Sequence, residues 1–261
     1  MHYQFCAKTD PGRARENNED SVVFDVATKT MVLADGMGGY NAGEIASGMA
    51  TAFINSELSR WLSEAGVDAN GKEVRRAMEI CVGNANLSIY NAANSNAQYA
   101  GMGTTLVVGV FRGNSLLIGH IGDSRCYRMR GGVLEQITKD HSLLQEQIDA
   151  GLITVAQAAN SSIKNLVTRA LGVEGQVVLE INEHEVQAGD IYMMCSDGLS
   201  DMVDDVTIAK ILTACSELAP TADELISSAN ANGGRDNISV LLASAVEVSE
   251  KRGLIARLLG K

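Results

Sequence analysis

Apolar positions along the chain follow two periods, and the changes between them mark out the elements. Short runs of β-type composition open the sequence at Tyr3 to Lys8, Ser21 to Val26 and Thr30 to Ala34, separated by Asp10-Pro11-Gly12 and other polar residues. They predict antiparallel strands joined by turns. The spacing then lengthens: Ile45, Met49, Phe53, Leu58, Trp61 and Leu62 recur at near-helical intervals between Gly43 and Ala65. Val74, Ala77, Met78, Cys81, Ala85 and Ile89 do the same between Lys72 and Asn94, so two long amphipathic helices are predicted. Strand-like runs return at Thr104 to Phe111, Ser115 to Ile121, Cys126 to Arg130 and Val133 to Gln136, joined by turns such as Arg112-Gly113-Asn114, and read as a β-meander.

His141 to Ala159 is mixed helical, polar and rich in Ala and Gln, in the manner of an inserted surface element. Beyond it the patterning predicts strands at Val177 to Glu183 and Ile191 to Cys195, helices over about Asp205 to Leu218 and Ala222 to Asn232, and a last strand at Ile238 to Ala243. Strands grouped with strands, and helices in pairs, point to a layered α+β fold and away from the alternating rhythm of a parallel sheet.

A chain of 261 residues, 46% of them hydrophobic, is long enough to bury a core in one large domain. Its formal net charge of -11, with no block of lysines and arginines, argues against a nucleic-acid partner, which needs a stripe of positive charge. Cys6, Cys81, Cys126, Cys195 and Cys215 are scattered without C-x-x-C spacing, and an odd number with no signal peptide points to free thiols in a reducing cytoplasm. No apolar stretch reaches the roughly 20 residues that span a bilayer, so a soluble protein with no transmembrane segment is expected. In the tail, Leu254, Ile255, Leu258 and Leu259 share one helical face with basic residues elsewhere. That face suits weak docking on a membrane or a partner, or packing on the protein's own domain.

Three times an apolar run leads straight into an aspartate beside a small residue: Val32-Leu33-Ala34-Asp35-Gly36, Ile118-Gly119-His120-Ile121-Gly122-Asp123-Ser124 and Met193-Met194-Cys195-Ser196-Asp197-Gly198. Asp236 stands in Gly233-Gly234-Arg235-Asp236-Asn237, just before the last strand. Each one alone is ordinary turn chemistry. Together, at the ends of neighbouring strands, they converge on one rim of a sheet, where like charges raise one another's pKa unless a cation neutralises them. Such hard oxygen donors select Mg²⁺ or Mn²⁺, and Gly36 and Gly198 let the backbone approach an ion. Gly36-Met37-Gly38-Gly39 is not a G-x-G-x-x-G loop, because Asn41 stands where the last glycine is needed. There is no G-K-[ST], no G-x-S-x-G, no H-E-x-x-H and no cysteine-histidine zinc spacing. The segment Gly12-Arg13-Ala14-Arg15-Glu16-Asn17-Asn18-Glu19-Asp20 brings arginine and acid together before a strand, and arginine's planar fork suits a phosphate dianion.

These residues resemble the bacterial branch of the metal-dependent type-2C protein phosphatases, the PPM family, from about Thr9 to Leu242. The resemblance rests on Thr9-Asp10-x-Gly12-x-x-Arg15-x-x-Asn18-Glu19-Asp20, Ala34-Asp35-Gly36-Met37-Gly38-Gly39, Gly103-Thr104-Thr105 and Gly122-Asp123-Ser124-Arg125. It continues through Thr138-x-Asp140-His141-Ser142, Thr168-Arg169-Ala170-Leu171-Gly172, Ser196-Asp197-Gly198 and Gly234-Arg235-Asp236-Asn237. Each motif is weak alone, and their order is specific. The resemblance implies a four-layer β-sandwich, two antiparallel sheets flanked by pairs of antiparallel helices. It implies one phosphatase domain over 1–246, with a flap at about 143–164, followed by the basic amphipathic tail at 247–261.

By the same resemblance Asp35 would bridge two metals, Gly36 would give its carbonyl to one, and Asp197 with Asp236 would complete the other. Asp123 would serve a weaker third ion with Asp197. Arg15 would hold the substrate phosphate, while Glu19 and Asp20 would orient metal-bound waters and the arginine. The implied activity is hydrolysis of phosphoserine and phosphothreonine by a metal-activated water, better supported by Mn²⁺ than Mg²⁺, in a cytoplasmic enzyme acting on phosphorylated proteins and opposing a bacterial Ser/Thr protein kinase. Met37 stands where animal relatives carry a histidine proposed as general acid. A thioether donates no proton, which leaves His120 and His141 as substitutes to be tested by their placement. The alternative is a non-catalytic member of the fold that binds phosphoproteins; a lost metal aspartate would be its mark, and Asp35, Asp123, Asp197 and Asp236 are all present.

Overall fold

The computed structural model describes residues 1–39, 42–66, 69–158 and 166–247. The tail from 248 and residues 159–164 of the expected flap lie outside the described residues. The chain opens with β1 (His2–Asp10), β2 (Asp20–Asp25) and β3 (Thr30–Met37), followed by α1 (Ala42–Ala65) and α2 (Gly71–Ser95). A 3-10 turn at Ala97–Tyr99 leads into β4 (Gly103–Thr104), β5 (Leu106–Arg112), β6 (Ser115–Ile121), β7 (Arg125–Arg130) and β8 (Val133–Gln136). Next come α3 (Leu143–Asp149), α4 (Val155–Ala158), β9 (Glu180–Glu185) and β10 (Ile191–Cys195). The chain continues through α5 (Asp197–Ser200), α6 (Asp205–Thr213) and α7 (Leu218–Ala231) to β11 (Ile238–Val246).

The strands form two antiparallel sheets, β1-β11-β10-β7-β8 and β2-β3-β5-β6-β9, with β4 attached to β3. Their central strands are apolar on both faces because each sheet is covered twice. On β3, Met31 and Leu33 enter the core between the sheets, while Val32 and Ala34 pack under α1 and α2. On β11, Leu241 and Ala243 face the other sheet, while Val240 and Leu242 pack with Ile208, Leu212 and Leu225 of α6 and α7. The result is an α+β arrangement of helices, sheet, sheet, helices, as the resemblance implies. The period-two rule that builds it also aims Asp35: it shares the face of Met31 and Leu33 and so opens at the end of the space between the sheets.

Boundaries move where apolar residues serve packing without pairing. Val177 and Leu179 pack against the core under α1 and α2 before the ladder begins, so β9 starts at Glu180 and not at Val177. α6 stops at Thr213, short of the expected Leu218, and α7 starts at Leu218, ahead of the expected Ala222. Pro220 falls in the first turn of α7, where a missing N–H is harmless. α2 begins where Asn70 accepts from the amides of Lys72 and Glu73 and Glu73 accepts from the amide of Asn70, a reciprocal cap. Among the described residues no helix is long and apolar enough to cross a membrane.

Candidate functional site

Asp20 and Asp35 are direct cross-strand partners on β2 and β3, so their side chains share one face. Asp20 is buried, and its Oδ2 accepts from the Ser196 hydroxyl at 2.7 Å. That bond ties the end of β10, and with it Asp197, to the opposite sheet. Arg15 Nη2 donates to Asp236 Oδ2 at 2.8 Å. Asn237 holds the loop before β2: its Oδ1 accepts from the Glu19 amide at 2.8 Å, and its Nδ2 donates to the carbonyls of Pro11 at 3.0 Å and Asn17 at 2.8 Å. Arg15 and Glu19 are therefore fixed beside Asp236 by contacts more than two hundred residues apart in sequence.

The two glycines have a stricter role than the sequence reading assigned. A Cβ on Gly36 would lie 2.1 Å from the Gly43 carbonyl oxygen, and one on Gly198 would lie 1.9 Å from the Asn237 carbonyl oxygen. Neighbouring backbone, rather than an ion, fills the space a side chain would take. Gly36 packs β3 against the start of α1, and Gly198 packs α5 against the start of β11.

Burial and mutual repulsion dominate the electrostatics. Burial first, then the charges of neighbouring aspartates, push the carboxyls of Asp35 and Asp197 well above the ordinary aspartate range. The neighbours acting on Asp35 are Asp20, Asp197, Asp123 and Asp236, so strand ends distant in sequence do converge. Asp123 is pushed up to about 6, by burial and then by Asp140. Asp20 is also raised to about 6 by burial, although the Ser196 hydroxyl pulls the other way. Glu19 is raised by burial, with Arg15 opposing. One oxygen of this group, Asp20 Oδ1, is buried with no hydrogen-bond partner. An oxygen-only donor set held under like-charge strain, with an orphaned carboxylate oxygen inside it, fits a hard divalent cation.

Arg125, next to the Asp123 strand end, forms a fork with Asp140: Nε and Nη2 both reach Oδ2, at 3.0 and 2.7 Å, and Gln136 Nε2 donates to Oδ1 at 2.9 Å. The two side chains are 26% and 12% exposed. Removing one partner strands a charge of this kind at a cost of about 3–5 kcal/mol when fully buried. Asp140→Ala should destabilise the protein by about 3 kcal/mol, the low end, in urea unfolding; a change under about 1 kcal/mol would show that water already serves Arg125.

Among the described residues His120, His141 and Glu180 form a group of metal-type donors whose ligand atoms lie within 4.8 Å of one another, a spacing compatible with a cation. Hydrogen bonds place the protons there. His120 Nε2 lies 2.7 Å from the Lys139 carbonyl oxygen and donates to it, leaving Nδ1 a buried lone pair without a partner. His141 Nδ1 accepts from the Gly122 amide at 3.1 Å, so the neutral ring carries its proton on Nε2, 3.3 Å from Glu180 Oε2. A cation at His141 must displace that proton. With both rings buried and both N–H groups engaged, neither histidine is placed to protonate a leaving group. Glu180 escaped the sequence reading because only the register of β9, which sets it opposite His120, brings it there.

Residues 12–243 match the family described as protein phosphatase 2C. The serine/threonine phosphatase stp of Listeria monocytogenes serovar 1/2a is 38% identical over 245 residues, covering 93% of this chain and 95% of that protein. The crystal structure of the Mycobacterium tuberculosis serine/threonine phosphatase PstP/Ppp is similar with a TM-score of 0.86 at 38% identity, over 95% of this chain and 100% of that one. The catalytic domain of PstP in complex with 2 manganese ions gives a TM-score of 0.83 at 39% identity, over 94% and 99%.

Proposed function

The chain belongs to the protein phosphatase 2C family and is a metal-dependent serine/threonine protein phosphatase, and from that premise we propose that the carboxylates gathered at the strand ends, with Arg15, are its reaction centre. The observation that carries this reading is the convergence of Asp20, Asp35, Asp123, Asp197 and Asp236 on one another's charge. Asp35, the Gly36 carbonyl, Asp197 and Asp236 would hold two divalent cations, with Asp123 serving a third. The PstP domain bound to 2 manganese ions supports Mn²⁺ as the first choice. Cations bound there supply positive charge that lets water ionise near neutral pH and takes up negative charge on the phosphoryl group.

The chain's own groups bind and orient. Arg15 presents a planar fork to the phosphoryl oxygens, and Asp236, already bonded to it, sets the angle of the fork. Asp20 holds its carboxylate still through Ser196, and Glu19 keeps the Arg15 side of the cleft acidic. Met37 follows Gly36 and has no proton to give, so the departing serine or threonine oxygen draws its proton from solvent in the cleft. The substrates on this reading are phosphorylated proteins, among them a Ser/Thr kinase and its targets, and residues 1–246 act as one catalytic domain.

Phosphate release from a phosphothreonine peptide tests the assignment. Release should require Mn²⁺ and stop with chelator, and Arg15→Ala should lower kcat/KM by about 10–100-fold, the loss of a hydrogen bond to a charged group, chiefly through KM. A folded, manganese-bound protein that releases no phosphate would overturn the reading, and an unchanged KM for Arg15→Ala would remove that residue from it.

A further inference from the structure

The rim that carries Asp35 continues sideways into a groove that holds three valines. Gly36 pairs with Thr104, and Thr104 pairs in turn with Leu171, through amide-to-carbonyl bonds of 3.0 and 2.8 Å. Gly36, Thr104 and Leu171 therefore stand in one row across the sheet edge. Two antiparallel spacings of about 5 Å put Leu171 about 10 Å from the residue next to Asp35. Just past it, Val173 turns back toward the site: the point where a Cβ on Gly103 would stand is approached to 2.9 Å by both Val173 Cγ2 and Met37 Cε.

Beyond Val173 opens a cavity of about 510 Å³ whose lining is mixed: Val173, Val177 and Val178 are its branched apolar members, beside the polar Thr168, Arg169, Glu174 and Gln176. Val173 is 54% exposed and Val178 is 78% exposed, so two branched apolar side chains face water beside the catalytic rim. This edge is one path along which a phosphoprotein that enters by its phosphate can lay its flanking residues. An extended peptide advances about 3.3 Å per residue, so a residue three positions from the phosphorylated one reaches about 10 Å, as far as Leu171, whose neighbour Ala170 marks the near edge of this groove.

We propose that the groove of Val173, Val177 and Val178 is a specificity subsite that takes an apolar side chain about three residues from the phosphoserine or phosphothreonine of a protein substrate. The proposal rests on the phosphatase reading above and adds the substrate feature that it lacks. Burial of one aliphatic side chain is worth on the order of tenfold or more in kcat/KM.

The test uses the full chain with Mn²⁺ and phosphothreonine peptides that differ only in leucine or asparagine at the third position on either side, with p-nitrophenyl phosphate as a substrate too small to reach the groove. The wild type should favour leucine at one of the two positions by about tenfold. Val173→Ser and Val178→Asp should erase that preference and leave p-nitrophenyl phosphate turnover unchanged; the second sits at a site too exposed to matter for folding. Equal kcat/KM for the leucine and asparagine peptides, or a preference that survives both variants, would overturn the proposal. So would a monomer–dimer shift in sedimentation with Val178→Asp, which would give the patch to a second copy of the chain. If the wild type hydrolyses neither the peptides nor p-nitrophenyl phosphate, it is the reaction centre that fails, and this subsite fails with it.

Discussion

Asp35→Asn should lower kcat for a phosphothreonine peptide by about 10³-fold or more while making the metal-free protein more stable. Both effects have one cause. Asp35 lies at the centre of the repulsion among Asp20, Asp123, Asp197 and Asp236, and burial with that repulsion raises its carboxyl far above its ordinary value. Asparagine nearly keeps the shape and removes the charge. Without cations the fold loses a source of strain; with them the site loses the carboxylate that draws them in, and several kcal/mol of transition-state stabilisation go with it, at 1.36 kcal/mol per tenfold. Steady-state kinetics in Mn²⁺ and thermal melts in chelator check the two halves. An active Asp35→Asn enzyme would move the reaction centre elsewhere, and a lower melting temperature in chelator would mean that Asp35 is held by contacts stronger than the repulsion.

Chelation should also make stability depend on pH, with a definite sign. Asp123 goes from 3.8 to about 6 on folding, so the folded state binds its proton more tightly than the unfolded state. Stability is then highest at low pH, falls as pH rises from about 4 through about 6, and levels off above. For this one carboxyl the loss between pH 5 and pH 7.5 is about 1.4 kcal/mol, or about 3–6 °C in melting temperature for a chain of this size. Asp20, raised alike, adds to it. His141 opposes it: burial and the nearby His120 lower its pKa, so stability from that ring is lost as pH falls below 6.5. Comparing chelated wild type with chelated Asp123→Asn separates the two, since the variant should lose about 1.4 kcal/mol of the slope and keep the histidine part. Saturating Mn²⁺ should flatten the wild-type curve. Parallel slopes for the two chelated proteins would show that Asp123 titrates normally.

Much of the fold was legible from period alone. The runs at Val133 to Gln136 and Ile191 to Cys195 are β8 and β10 at the residues expected, and the helical spacing up to Ala65 ends where α1 ends. Those elements obey a local rule: which positions are apolar follows from the rise of the strand or the turn of the helix, within a few residues of chain. The aspartates were legible for the same reason, because an apolar run that stops at Asp35, Asp123 or Asp197 places that residue within two positions of a strand end wherever the strand goes.

What the sequence determined by itself was therefore most of the strands and the longer helices, the family, and the residue types able to hold a cation. Tertiary structure alone decided the partnerships. Ser196 with Asp20, Asn237 with the loop before β2, Arg125 with Asp140 and Glu180 opposite His120 join segments with no local signal for one another. The groove beside Val173 is set by Leu171 pairing with Thr104 and by Asn86 of α2, which bonds the Gly172 amide and the Glu174 carbonyl. Register and sheet order, which set these meetings, come from the sum of burial over the whole core. Hydrophobic burial acts without direction, so a single apolar position carries its period and no record of which distant strand it will face.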